Sequence, residues 1–258
     1  MAKTYVVIGS LGDRGKKRLD VLLPYLRSTR SNTNILVNWQ IGQDEAPRGF
    51  ARAYNSLLTG AFADPECQFA WILGDDVMPF DSCLADTQML MELDPTIGAM
   101  YPVEAWGANI TMLPFDGKVV PIEAALSTTN IEQIFPGMAC CCLSRAAWEA
   151  VGPIDEQIGL GYGEDFDWGI RCWKAGYRVV NYRGAYFHHQ RGATYNQLIA
   201  DGVIDKNMPY EAADALKRKW PELELWKDQD PASTSLLNKL RTLYQESRAG
   251  RTTPAPVV

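Results

Sequence analysis

KTYVVIG (3–9), KKRLDVLLPYLRS (16–28), NILVNW (34–39), FARAYNSLLTGAF (50–62), QFAWIL (68–73) and DSCLADTQMLMEL (81–93) follow one another through the first hundred residues as alternating β-rich and helical runs. Alternation of this kind predicts a parallel sheet with right-handed crossovers. Such sheets bind ligands at the carboxyl ends of their strands, so the residues immediately after each strand are where chemistry is to be sought.

Working outward, the pattern changes beyond Gly98 to shorter pieces and a second, mixed half begins. In ITMLPFDGKVVPI, Asp116-Gly117 sits between two apolar runs as a hairpin signal. Then come a strand in PGMACCCLS, a short helix near SRAAWEAVG, a Gly-rich turn, a helix from Glu164 to Lys174, and a strand pair around YRVVNY and AYFHH. After His189 the chain turns polar, with helices expected over Tyr210–Lys219 and Ser233–Arg248 and a disordered tail in GRTTPAPVV. No internal repeat is visible.

Composition narrows the function classes. Over 258 residues, 47% are hydrophobic and 22% charged, an ordinary globular balance that argues against disorder. A formal net charge of −6 disfavours general attraction to nucleic-acid backbones or anionic lipid and favours small-molecule substrates. The N-terminal MAKTYVVIGSLGDRG holds an apolar run of only about four residues, too short for a signal peptide or a membrane span, which leads to a cytoplasmic expectation. Three of six cysteines are consecutive, Cys140 to Cys142, in a strand whose neighbouring side chains point to opposite faces. That makes a poor metal cage and a poor disulfide framework, so they read as small apolar strand residues in a reducing compartment.

Several groups are candidates for chemistry. Gly9, Gly12 and Gly15 after the first strand suggest a phosphate cradle, but their G-x-x-G-x-x-G spacing fits neither the dinucleotide fingerprint nor a Walker loop. WILGDDVMP (71–79) puts Asp75 and Asp76 at the carboxyl edge of the third strand. Adjacent carboxylates there suit a hard divalent cation that also binds substrate phosphates; the alternative is a polar turn entering the next helix. GLGYGEDFDWGIRCWKAG gathers Glu164, Asp165 and Asp167 at a helix start, where acidic residues either complement the helix dipole or supply a general base. His188 and His189, the only two histidines, are adjacent after a strand; alternation sends one inward, where it can complete a metal site.

Over residues 4–194, with its most specific part at 136–195, the chain resembles family-2 glycosyltransferases of the GT-A fold. The matching features run in order: a small-residue strand, Arg145, an apolar helix, VGPIDE, the EDFDWGIR run, AGYRV and a closing H-x-x-G-x-T. Upstream, GFARAYNSLLTGA and FAWILGDDVMP resemble the family's Asn-containing helix and the strand leading into its DxD-type motif. The resemblance implies an α/β fold with a mixed, mainly parallel, Rossmann-like sheet flanked by helices and a C-terminal helical appendage. It divides the chain into a transferase domain at 1–194, an appendage at 195–248 and a tail at 249–258. Within the domain, 1–100 would bind the nucleotide sugar, and 101–194 would carry the acceptor and catalytic groups.

The implied activity is transfer of a sugar from a nucleotide-sugar donor to an acceptor hydroxyl with inversion, the alternatives being a nucleotidyltransferase or a non-catalytic nucleotide-sugar-binding module. By the same resemblance, Asp76 holds a Mn²⁺ or Mg²⁺ ion bridging the donor's diphosphate, with Asp75 sharing the task because Gly74 replaces the motif's first aspartate. Asp165 is the base, Glu164 an acceptor contact, and His189, or else His188, a further metal ligand. Ser10, Asn38 and Asn55 fall on the donor side, Asn38 where an aspartate often contacts the nucleobase. A UDP-sugar is the favoured donor, with GDP- and dTDP-sugars as alternatives; the acceptor is a saccharide, a protein or a modified nucleic acid. The segment after Thr194 is read as an acceptor-recognition or homo-oligomer element, its Lys217, Arg218, Lys219 and Trp220 facing an acceptor or solvent.

Overall fold

A computed structural model describes residues 3–29, 34–40, 49–80, 82–104, 130–158, 161–190, 193–202, 204–225 and 234–249. The first half alternates as expected: β1 (Lys3–Leu11), α1 (Gly12–Thr29), β2 (Asn34–Gln40), α2 (Phe50–Phe62) and β3 (Cys67–Gly74). A two-residue turn at Asp75 and Asp76 leads to a short β4 (Val77–Pro79), followed by α3 (Cys83–Leu93) and β5 (Ile97–Glu104). The second half holds β6 (Asn130–Glu132), β7 (Cys140–Ser144), α4 (Arg145–Val151), α5 (Glu164–Lys174) and β8 (Arg178–His189). Three more helices close the chain: α6 (Ala193–Ala200), α7 (Met208–Lys219) and α8 (Thr234–Ala249). The hairpin expected at Asp116-Gly117 and the tail at 250–258 lie outside the described residues.

The eight strands make one mixed sheet in the order β2-β1-β3-β7-β5-β8-β4, with β6 beside β8. β1 pairs in parallel with both β2 and β3, and β5 in parallel with β8; β7 fits antiparallel between β3 and β5. Central strands covered on both faces read as continuous apolar runs, and β3, CQFAWILG, is buried at six of its eight positions. The cysteine run in β7 follows the pleat: Cys141 packs into the cluster on one face of the sheet, and Cys140 and Cys142 into the cluster on the other. All six cysteines are free and buried.

α1 covers one face through Leu19, Leu22 and Leu26, at helical spacing, and α2 the other through Tyr54, Leu57, Leu58 and Ala61. The α2 face also holds α5, and its core continues into the C-terminal helices through Leu216, Leu223, Leu236 and Leu240. No helix of the described residues is long and apolar enough to cross a membrane.

One expected feature is corrected. YRVVNY and AYFHH are one strand, β8, and not a strand pair, because a bulge lets the chain continue. Along β5 the step from Pro102 to Val103 corresponds on β8 to a step from Tyr182 to Tyr186. Arg183, Gly184 and Ala185 are therefore extra, and an odd insertion reverses which side chains face which side. Val180 and Phe187, seven residues apart, consequently pack into the same cluster.

Candidate active site

Two acidic pairs stand 89 positions apart in sequence, and the structure separates the members of each.

Asp75 and Asp76 turn away from one another. The Asp75 carboxylate faces β1 and α1: it accepts from the Ser10 hydroxyl at 2.6 Å and from Nε and Nη2 of Arg18, each at 3.0 Å. Burial raises its pKa, with Arg18 and Ser10 acting in opposition. These donors anchor α1 to the ends of β1 and β3, and they engage the Asp75 carboxylate that was expected to share the cation. Ser10, expected on the donor side, is part of that anchor.

Asp76 faces β8. Its Oδ1 lies 3.4 Å from Nε2 of His189, whose Nδ1 lies 3.6 Å from Oε1 of Glu104 at the end of β5. The β4–β8 register pairs Val77 with His189 and Met78 with His188, so the two histidines alternate along the strand, and it is His189 that meets Asp76. Which histidine faces Asp76 depends on the β8 bulge. Burial disfavours the charged His189 ring, but the carboxylates of Asp76 and Glu104 outweigh that and raise its pKa to about 9. Gly74 also has a reason: a Cβ there would meet Oδ1 of Asp76 at 2.7 Å, so the residue that departs from the DxD-type pattern leaves room for this carboxylate.

Asp76 and His189 suit a divalent cation. Two donors about 2.1 Å from one ion at angles of about 90–110° stand about 3.0–3.4 Å apart. Among the described residues no group of three or more His, Cys, Asp or Glu side chains is arranged to hold a metal. The protein's share is thus small, as for ions that take most of their remaining oxygens from substrate phosphate and water.

The second pair opens α5. Gly163 caps it with φ of 84°, a left-handed conformation that favours glycine. Glu164 is 6% exposed, and its buried Oε2 has no hydrogen-bond partner among the described residues. Burial raises its pKa first, and the neighbouring Asp165 charge raises it further. The half-buried Asp165 accepts from the backbone N–H of Phe166 at 2.8 Å, and burial raises its pKa as well. A carboxylate whose pKa is moved toward neutrality is matched to general-base work. The Asp165 charge contributes, after burial and Cys141, to the raised pKa of Tyr101 on β5. Glu104 lies three residues, about 10 Å, further along that strand.

Asp167, in the same acidic run, is structural. It is fully buried and accepts from Arg171 Nε at 2.8 Å and Trp220 Nε1 at 3.0 Å, and it pairs with Lys219 Nζ at 2.7 Å. Lys219 also reaches Asp155 at 2.5 Å. Lys219 and Trp220, expected to face an acceptor or solvent, therefore hold α7 against α5. Asn55, expected on the donor side, also has partners within the fold. Its amide donates to the Ile154 carbonyl at 2.8 Å and to Glu156 at 3.0 Å, and its oxygen accepts from Ile154 N–H at 2.8 Å. It ties α2 to the loop after α4. The side chain of Asn38 is outside the described residues; its backbone pairs with Gly9 at the β1–β2 edge. Glu104 and Arg18 were missed by sequence reasoning, although Glu104 ends a strand at the sheet edge where ligands bind.

Residues 123–220 match the family model described as Glycosyl transferase family group 2. The match spans 98 of the chain's 258 residues. It carries Glu164, Asp165 and His189, and it bears out both the family-2 resemblance drawn from residues 136–195 and the enzyme class that resemblance implied. Among solved structures, the mannosyltransferase PcManGT from Pyrobaculum calidifontis, in complex with GDP-Man and Mn²⁺, matches with a TM-score of 0.53 at 14% identity, over 98% of this chain and 77% of that one. That likeness shows the fold, the GT-A arrangement expected. GalNAc-T7 with UDP, GalNAc and Mn²⁺ has a TM-score of 0.49 at 13% identity over 96% of this chain, which spans 55% of the GalNAc-T7 chain. The catalytic domain of Drosophila beta1,4galactosyltransferase 7 with xylobiose has a TM-score of 0.49 at 16% identity, over 73% of this chain and 71% of that one. No curated protein sequence matches the chain.

Proposed function

We propose that this chain transfers a sugar from a nucleoside-diphosphate sugar to an acceptor hydroxyl, with inversion, at a divalent-cation site on Asp76 and His189. The observation that carries the reading is the cation-suited pair of Asp76 and His189 at 3.4 Å, found in one chain with an acidic pair at the start of α5 whose pKa values burial raises. A displacement at an anomeric carbon needs both, one to receive the leaving group and one to activate the nucleophile.

Asp165 takes the proton of the acceptor hydroxyl while that oxygen bonds to the anomeric carbon; the bond to the diphosphate oxygen breaks, and its electron pair leaves with the nucleoside diphosphate. Glu164, whose pKa burial raises, contacts a neighbouring acceptor oxygen. Mn²⁺ or Mg²⁺, when bound, supplies Lewis-acid stabilisation of the departing diphosphate. Asp76 and His189 hold that ion, while Ser10, Asp75 and Arg18 fix the turn that presents Asp76. On this reading residues 1–100 form the donor half and 101–194 the acceptor half.

The donor class is a UDP- or GDP-sugar. PcManGT, which shares the fold, is a complex with GDP-Man and Mn²⁺, and both nucleotides belong in the test. A thermal-shift panel of nucleotide sugars, with and without Mn²⁺, provides it. A ligand at about a hundred times its Kd stabilises the folded state by about 2.7 kcal/mol. For a chain of this length that raises Tm by about 5–10 °C. One nucleotide sugar is expected to give such a rise only with Mn²⁺. A panel in which none shifts Tm would overturn the reading.

A further inference from the structure

We propose that Glu104 is a positioning residue for the cation site, acting on the metal only through His189, whose ring it orients from the Nδ1 side. The inference deepens the function proposed above and rests on its metal site.

The two carboxylates stand on different nitrogens of one ring. Asp76 Oδ1 is 3.4 Å from Nε2, and Glu104 Oε1 is 3.6 Å from Nδ1. The imidazole lies between them, so Glu104 is held off the point where Asp76 and Nε2 converge and cannot be a third ligand there. A ring nitrogen binds a cation through its lone pair, which for Nε2 requires the proton on Nδ1. A carboxylate facing Nδ1 favours that tautomer, fixes the ring plane and makes Nε2 a better donor.

The β8 bulge creates this contact. With regular β5–β8 pairing continued from Pro102 opposite Tyr182, Glu104 would stand opposite Gly184, five residues short of His189. The three extra residues of the bulge bring Phe187 opposite Glu104, leaving His189 two residues on. Two residues along a strand is the same face, so the bulge sets both the distance and the side. Glu104 is also sheltered, with its side chain 15% exposed against 19% for His189, so solvent competes little for the contact.

The test titrates Mn²⁺ into the full chain, with and without UDP or GDP, and reads free Mn²⁺ by electron paramagnetic resonance. It compares wild type, Glu104→Gln, His189→Ala and the double variant, with thermal melting as the check of folding. Outer-shell partners of metal-bound histidines typically contribute about 10–100-fold in affinity. Glu104→Gln is expected to weaken Mn²⁺ by that factor, Glu104→Asp to recover part of it, and Glu104→Gln to add nothing once His189 is alanine. Unchanged affinity in Glu104→Gln overturns the inference while leaving the metal site standing. A further tenfold loss in the double variant overturns it too, since Glu104 would then act independently of His189. If wild type binds no Mn²⁺ even with nucleotide, the functional reading fails and this inference with it.

Discussion

Asp167→Asn separates the structural from the chemical members of the acidic run that opens α5. The carboxylate is fully buried, with Lys219 and Trp220 on Oδ1 at 2.7 and 3.0 Å and Arg171 on Oδ2 at 2.8 Å. Asparagine has the same shape but one accepting oxygen, so whichever way the amide turns, its NH₂ faces a donor. Removing one partner of a buried ion pair costs about 3–5 kcal/mol. The Arg171 and Lys219 side chains are 19% and 31% exposed and can turn toward water, which places the expected loss at the lower end, about 3 kcal/mol. For a domain of this size each kcal/mol shifts Tm by about 2–4 °C, so Tm should fall by about 6–12 °C. Calorimetric or circular-dichroism melting of the full chain measures it. A fall below about 2 °C would refute the idea that Lys219 and Trp220 clamp α7 onto α5 through Asp167.

Asp165→Asn, two residues earlier, carries the opposite forecast: the amide oxygen keeps the Phe166 N–H contact, so melting and donor affinity stay near wild type while transfer falls about 10²–10⁴-fold. Retention of more than about a tenth of the transfer rate would remove Asp165 from the chemistry. In the pH profile of kcat/KM, burial of the Glu164–Asp165 pair raises both pKa values, so protonation disables the base from well above the ordinary carboxylate range. Activity should therefore rise with pH along an acid limb nearer neutrality than pH 4, the reference region for carboxylates; a rate flat down to about pH 4 contradicts this.

Much of the fold was legible because its signals are local. Strand and helix runs in the first half lie where their periodicities put them, and α5 begins and ends at Glu164 and Lys174 as read. The β8 bulge was not legible: nothing in YRVVNYRGAYFHH announces three unpaired residues, because a bulge is defined by the partner strand. The choice between His188 and His189 depends on that bulge, so alternation counted through it would give the wrong parity. The acidic pairs were recognisable as pairs, but the division of labour within each was not. Asp75 is distinguished from Asp76 by Arg18, and Asp167 from Asp165 by Lys219 and Trp220, partners 57 and about 50 residues away in the chain. Asn55 shows the same limit, since its partners are 99 and 101 residues distant.

The account stands most directly on cation-dependent cleavage of the donor at Asp76. The deciding measurement is the initial rate at which nucleoside diphosphate is released from the nucleotide sugar that binds best, followed with Mn²⁺, in excess chelator, and after Mn²⁺ is restored. Release is predicted with Mn²⁺, falling to background in chelator, returning when the ion is replaced, and absent throughout in Asp76→Ala. Release that continues unchanged in excess chelator, or in Asp76→Ala, would contradict the central claim.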